Sequence, residues 1–173
     1  MLKRKVLLTG LVSLIILAVS FGLLAIPQFM QFNGKLQYSA SGYEFFFNCA
    51  SDLYNGATRP TSVSGLGIAC IVVMGLAVVS SVVAVLFSKE GSAFILFGGL
   101  LNVAAAIMFF CMSLSRDKVY DKFRSLVDVG WVTYVIGGLL MLAGLLCLYV
   151  SVRLILQEKK TIATKQSYSY LKK

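Results

Sequence analysis

Long apolar stretches divide the chain into four segments separated by polar connections. They cover residues 6–26, 65–87, 93–115 and 131–155 and are 21, 23, 23 and 25 residues long. A helix rises about 1.5 Å per residue and the hydrocarbon layer of a bilayer is about 30 Å thick, so each segment is long enough to cross it. The apolar run at residues 14–17 does not alternate with polar residues as the strands of a membrane barrel do. The pattern therefore predicts an all-α, four-helix transmembrane bundle.

The polar connections are unequal in length. Residues 27–64, 88–92 and 116–130 join the four segments, and residues 156–173 form a tail. Because the segments hold 92 of the 173 residues, we treat residues 1–173 as a single membrane domain.

The first connection begins with a turn signal. Alternating residues at 30–32 and 35–38 flank Asn33-Gly34, and Asn-Gly fits a type I′ turn because both central residues take positive φ. We expect a short hairpin here, which would form a small outer cap on the first span.

Aromatic residues follow this hairpin, namely Tyr43, Phe45, Phe46, Phe47 and Tyr54. They would either close the end of the bundle or lie in the aromatic belt at the membrane interface. Alternatively, they form an exposed patch that binds a protein or a lipid. We keep Tyr43, Phe45, Phe46 and Phe47 as possible partner-contact residues.

The third connection contains apolar residues at helical spacing between charged ones, namely Val119, Tyr120, Phe123, Leu126 and Val127. This spacing predicts a short amphipathic helix on the outer membrane surface. An irregular connector is the alternative.

Small residues recur along the spans at helix-packing intervals. The fourth span has them every seven residues, at Gly130, Gly137, Gly144 and Ser151. The third has Gly98, Asn102 and Ala106 at four-residue steps, and the first has Gly10, Ala18, Gly22 and Ala25. Small side chains allow close helix approach, so we expect a compact bundle, although a homo-oligomer would use the same kind of stripe.

Composition agrees with a membrane location. Apolar residues make up 58% of the chain and charged residues only 13%, which is about half the charged share of a soluble domain. The net charge is +9, but a nucleic-acid-binding protein would not dilute its cations among so many apolar residues. We therefore expect a lipid bilayer, and no nucleic acid, as the surroundings of this chain.

Lysine and arginine positions predict the orientation. Ten of the 16 cations lie on the side of the N-terminus and six on the other side. The side richer in cations is normally cytoplasmic, so we expect both termini in the cytoplasm. The first span has a small-x-small site at Ala18–Ser20, yet it is longer than a signal-peptide core, and we expect it to be retained. The basic tail lacks an apolar period and is expected to be disordered near anionic headgroups.

The sequence offers little catalytic chemistry. The chain has no histidine, and all seven carboxylates lie outside the four apolar segments. This removes histidine bases and histidine metal ligands, and it counts against an ion-coupled carrier, which normally has an acid in the membrane. We predict no catalytic residue, no cofactor and no metal site.

Two residue types remain to be placed. Asn102 is the only amide in the apolar segments, where it either hydrogen-bonds to another helix or lines a small polar site. The four cysteines form no C-x-x-C pair, and only Cys49 lies in a connection. It would be a free thiol or would pair with a second chain.

The layout resembles two groups of proteins. A long first outer loop with a hairpin, a five-residue inner turn and a shorter second outer loop resemble the claudin-type tetraspan arrangement. The claudin signature of Gly-Leu-Trp and two cysteines is missing, because this loop has no Trp and only Cys49. The segments at residues 41–47 (SGYEFFF) and 65–68 (GLGI) are similar to those of small bacterial four-span proteins without an assigned function. The second resemblance implies a bacterial plasma membrane and no mechanism.

The leading hypothesis is a non-enzymatic structural or accessory membrane protein that binds a membrane-protein partner or a second copy of itself. The alternative is a small transport or channel component, which would need a polar path that reaches Asn102. An exposed aromatic surface at residues 45–47 would favour the first hypothesis.

Overall fold

Six helices and three short strands make up the described part of the chain. The computed structural model describes residues 2–32, 38–47, 63–87, 91–119 and 127–170. The elements in chain order are α1 (Leu2–Leu23), β1 (Met30–Phe32), β2 (Tyr38–Ala40), α2 (Gly42–Phe47), α3 (Gly65–Leu86), α4 (Gly91–Phe110), α5 (Met112–Val119), β3 (Val127–Val129) and α6 (Trp131–Tyr170).

Four of the helices are long and apolar enough to cross a membrane. The candidate spans are Arg4–Leu23, Gly65–Leu86, Gly91–Phe110 and Trp131–Gln157, with mean hydropathies between 2.3 and 2.8. Only 33–39% of the residues in each apolar window are buried inside the bundle, as expected for helices whose outer faces lie in lipid. The predicted all-α four-helix bundle is confirmed.

The four spanning helices form a ring in the order α1, α3, α4, α6. α4 packs against α3 and α6, and α1 packs against the same two helices from the opposite side. Successive helices run in opposite directions, so Val6, Ala84 and Gly91 meet at one end of the bundle. We call this the basic end, and Leu154 of α6 belongs to the same buried cluster there. The opposite end is the sheet end.

A three-stranded antiparallel sheet lies at the sheet end, with strand order β2-β1-β3. The hairpin expected after the first span is present. Phe32 pairs with Tyr38, which leaves residues 33–37 between the strands. The predicted Asn33-Gly34 turn lies outside the described residues.

The third strand comes from the connection between the third and fourth spans. Val127 lies in β3 and pairs with Phe32 of β1, so the amphipathic helix predicted to reach Val127 is wrong at its end. Residues 120–126 lie outside the described residues. The edge of β1 that β2 does not cover would leave unpaired backbone groups, and the β-branched Val127 and Val129 favour the strand that pairs with it.

The last helix continues far beyond its membrane span. α6 is 40 residues long and ends at Tyr170, whereas the apolar span ends at Gln157. The prediction of a disordered tail is therefore wrong. Extending an existing helix avoids the cost of nucleation, and the Gln, Glu, Lys and Ala of this segment are good helix formers. Residues 158–170 extend the helix by about 20 Å.

Candidate functional site

Four polar side chains, one from each spanning helix, meet inside the bundle. Ser13 of α1, Ser81 of α3, Asn102 of α4 and Cys147 of α6 are all at most 4% exposed. We call these four residues the central polar cluster. It brings together positions that are far apart in the sequence, because the helix faces that carry them all point towards the bundle axis.

Ser13 is the common partner in this cluster. Its hydroxyl oxygen accepts hydrogen bonds from the Asn102 Nδ2 amide at 3.2 Å and from the Ser81 hydroxyl at 3.1 Å. Cys147 of α6 lies next to the same hydroxyl. Asn102 thus makes the interhelical hydrogen bond that was one of the two alternatives for it. Each such bond between membrane helices contributes about 0.6–1.7 kcal/mol.

One acceptor of the cluster remains unpaired among the described residues. Asn102 Oδ1 is buried without a hydrogen-bond partner, and so is the hydroxyl of Ser20. A buried polar atom without a partner costs about 1–3 kcal/mol. Asn102 therefore combines a structural bond with an unused polar atom inside the bundle.

The small residues of the fourth span lie at the contact between α6 and α4. A Cβ added to Gly144 would lie 2.6 Å from Val103 Cγ2 and 2.9 Å from the carbonyl oxygen of Gly99. At Gly99, an added Cβ would lie 2.9 Å from the Cβ of Cys147. The two backbones therefore touch here, and we call Gly99 and Gly144 the glycine seam.

The other predicted packing residues are also buried within the chain. Gly137 and Ser151 continue the seven-residue stripe on α6, and Gly130, just before α6, packs against the backbone of Gln28 and Phe29. Gly98, Asn102 and Ala106 lie on the buried side of α4. Ser151 donates a hydrogen bond to the carbonyl oxygen of Ser92 at 3.5 Å. These stripes serve packing between helices of one chain.

The first span is different. Gly10 is buried, and a Cβ added to it would lie 2.7 Å from Val85 of α3. Ala18, Gly22 and Ala25 are exposed instead, so the predicted common face of these four small residues is wrong. Gly22 lies about 120° around the helix from Gly10, so Gly10 can face α3 while Gly22 faces outwards.

Aromatic rings fill the sheet end of the bundle. Phe29, Phe45, Phe46 and Phe109 are fully buried, and we call them the aromatic cluster. Phe29 contacts Phe46 edge-on, with ring centroids 5.1 Å apart. The ring of Phe46 also lies directly over Gly67, where a side chain would collide with it. The cluster joins α2 to the start of α3 and the end of α4.

The four predicted partner-contact residues do not form one exposed surface. Phe45 and Phe46 are 0% exposed, because they lie on the side of α2 that packs onto the bundle. Tyr43 is half-buried, and its hydroxyl donates to the carbonyl oxygen of Phe21 at 3.0 Å. Only Phe47, at 47% exposure, points away from the core. Burial of the rings agrees with the alternative that they close the end of the bundle.

A backbone clamp that the sequence did not indicate fixes the start of α6. The Gly130 amide and the Thr133 hydroxyl both donate to the carbonyl oxygen of Phe29, at 2.8 and 3.1 Å. The indole of Trp131 donates to the Gln28 side chain. No spacing pattern in the sequence predicts this contact, because it joins two segments about one hundred residues apart.

The two ends of the bundle differ in charge. At the sheet end, Arg116 lies 3.7 Å from Asp128. At the basic end, Arg4, Lys5, Arg153 and Lys159 are exposed, and no side chain described there is a carboxylate. In the part of the chain that the structure describes, no group of three or more metal-ligating side chains occurs.

These features define a multi-pass membrane protein with four spanning helices, a hydrogen-bonded polar core and a sheet at one end. Comparison with protein-family models and with curated protein sequences finds no match to this chain.

Proposed function

We propose that this chain is a non-enzymatic membrane protein that acts as a structural or accessory partner of another membrane protein or of a second copy of itself. The observation that carries the proposal is where the polar side chains of the spanning helices lie and what they bind. Ser13, Ser81 and Asn102 are buried and bind one another across helices. Because these groups stabilise the bundle itself, the outer faces of the helices are left to carry the function.

The exposed small residues of α1 support this proposal. Ala18 and Gly22 of α1 and Ala25 just beyond its end are exposed, and an added Cβ at Gly22 would meet nothing within 4 Å. Small residues at a membrane-facing position allow a helix of another molecule to approach closely. The other spans bury most of their small residues inside the bundle, so α1 is the favoured contact helix.

Affinity purification tests the accessory role. We expect tagged protein in mild detergent to recover a partner or a second copy in stoichiometric amount, and Gly22→Leu to abolish the recovery. Gly138→Leu is the matched control, since an added Cβ there also meets nothing within 4 Å. Recovery of neither a partner nor an oligomer would overturn the proposal.

The orientation proposed for the bundle places both termini in the cytoplasm of a cell bounded by its plasma membrane. Ten cations and two carboxylates lie on the side of the termini, against six cations and five carboxylates on the other side. This asymmetry supports a cytoplasmic basic end, and the resemblance of residues 41–47 and 65–68 to segments of small bacterial four-span proteins favours a plasma membrane. The basic tail would then lie beside anionic headgroups.

Cysteine labelling tests this orientation. An impermeant maleimide added to intact cells is expected to label Cys49. In a Cys49→Ser background, a cysteine introduced by Lys172→Cys is expected to react only after the cells are opened. The reverse pattern would show that the sheet end faces the cytoplasm.

A transport or channel component is the second candidate. The buried and unpaired Asn102 Oδ1 and Ser20 Oγ favour it, because a permeating polar species would find these atoms along the bundle interior. Purified protein in liposomes would then conduct small polar solutes, and Asn102→Leu would stop the flux. We expect no flux above that of empty liposomes.

A further inference from the structure

Exposed cations at the basic end lie on two helices that pack against each other. Arg4 and Lys5 belong to the first turns of α1, and Arg153 and Lys159 belong to α6. α1 and α6 are direct neighbours in the ring of helices. Lys5 of α1 and Arg153 of α6 are the two described cations whose positions can be related to the groove between these helices.

Lys5 and Arg153 flank the same buried contact. Val6, which follows Lys5, and Leu154, which follows Arg153, belong to one buried cluster. Val150 packs against this cluster and lies three residues before Arg153, so the two share a side of α6. Likewise, Lys5 lies one turn before the buried Thr9 on α1. Both cations therefore stand at the rim of the groove between α1 and α6.

The depth of these cations matches a headgroup layer. Arg153 lies just inside the end of the apolar span at Gln157, and Lys159 lies about 9 Å further along the helix axis. The guanidinium carbon of Arg153 lies 5.2 Å from the centroid of the Tyr149 ring, which holds the charge against the helix surface. Below the cations, Val12 of α1 and Leu146 of α6 are exposed at 39% and 40% and offer an apolar surface to an acyl chain.

The electrostatics at this end favour an anion. The two carboxylate side chains that the structure describes, Glu44 and Asp128, both belong to the sheet end. Glu44 is engaged there by Ser41, whose backbone amide and hydroxyl both donate to it. At the basic end no described carboxylate side chain neutralises Lys5 or Arg153. A guanidinium binds phosphate oxygens through paired N–H donors, and an ammonium adds a point charge.

We propose that Lys5 and Arg153 bind the phosphate of one anionic phospholipid in the groove between α1 and α6. The acyl chains lie along Val12 and Leu146. The proposal assigns the headgroup contact of the basic end to two named side chains. It rests on the proposed function only in requiring that the chain spans a bilayer. It does not depend on which side of the membrane the basic end faces.

Native mass spectrometry of the full chain, released from micelles that contain equal amounts of phosphatidylglycerol and phosphatidylcholine, tests the proposal. We expect the protein to retain one phosphatidylglycerol. Each charge removed is expected to weaken retention about fivefold, and the Lys5→Gln/Arg153→Gln double variant more than tenfold. The charge-preserving double variant Lys5→Arg/Arg153→Lys is expected to retain the lipid.

The matched control removes two cations from the connection between α1 and α3, by Lys35→Gln and Arg59→Gln, and is expected to leave retention unchanged. Equal retention of the two lipids, or equal loss in the control, would overturn the proposal. Displacement of the lipid by millimolar glycerol phosphate would show a site for a free anion and would also overturn it. This measurement does not depend on recovery of a partner. A failure of the lipid proposal is therefore distinguishable from a failure of the proposed accessory role.

Discussion

The aromatic cluster at the sheet end and the glycine seam between α4 and α6 hold the same bundle together in opposite ways. In the cluster, four phenylalanine rings fill the space between α2, α3 and α4. At the seam, Gly99 and Gly144 let two backbones touch. A gap filled by rings is sensitive to loss of volume, whereas a gap closed by glycines is sensitive to added volume. This difference predicts which substitutions each region tolerates.

Truncation of a buried ring is expected to have the largest effect. Phe46→Ala removes a ring that contacts Phe29, Phe109 and the backbone at Gly67, and it is expected to lower the free energy of unfolding by about 3–5 kcal/mol. The unfolding midpoint in a denaturing-detergent titration measures this.

The neighbouring ring provides the control for that prediction. Phe47 is 47% exposed, and Phe47→Ala is expected to lower the free energy of unfolding by less than about 1 kcal/mol. A similar loss in the two variants would show that the cluster does not stabilise the sheet end.

Added volume at the glycine seam is expected to have the next largest effect. Gly144→Val would drive methyl groups into Val103 and the Gly99 backbone, and overpacking of this kind costs about 1–3 kcal/mol. Gly138→Val adds the same volume on the same helix, where an added Cβ meets nothing within 4 Å. If both variants unfold at the same midpoint, the close approach of α4 and α6 is not a source of stability.

The two regions also differ in how far the sequence predicted them. The seven-residue spacing of Gly130, Gly137, Gly144 and Ser151 is a local pattern, so the buried stripe on α6 could be expected. The position of Phe45 and Phe46 depends on which side of α2 meets the bundle. That choice is made by contacts with Phe29 and Phe109, which lie outside α2, and no local pattern contains it.

The central polar cluster was predicted only in part for the same reason. Asn102 stood out as the single amide of the apolar segments, and an interhelical hydrogen bond was one expectation for it. Its partners, Ser13 and Ser81, belong to helices whose rotation about their axes the sequence does not specify. β3 was missed because its pairing with β1 joins residues about one hundred positions apart, whereas helical periodicity is read within a few turns.

Removal of the common hydroxyl of the polar cluster is expected to have an intermediate effect. Ser13→Ala leaves the Asn102 amide and the Ser81 hydroxyl without their acceptor, at an expected cost of about 1–2 kcal/mol. A double-mutant cycle with Asn102→Leu measures the coupling between the two helices.

A hydroxyl bonded within its own helix is the matched control for this cycle. Thr9 donates to the carbonyl oxygen of Lys5 at 2.9 Å, so Thr9→Val removes no bond between helices. We expect coupling of Asn102 with Ser13 and none with Thr9. Coupling below about 0.3 kcal/mol in both cycles would show that the polar cluster adds no stability beyond that of the glycine seam beside it.

The smallest effect is expected at the surface of the sheet end. Arg116 lies 3.7 Å from Asp128, and the two side chains are 22% and 59% exposed. An exposed ion pair contributes about 0–1 kcal/mol, so Arg116→Gln is expected to shift the unfolding midpoint only slightly. Because salt screens exposed charges, the difference between this variant and the unaltered protein should disappear between 0.05 and about 1 M salt. A difference that persists at high salt would mean that Arg116 supports β3 by packing, and the sheet end would then depend on more than its aromatic cluster.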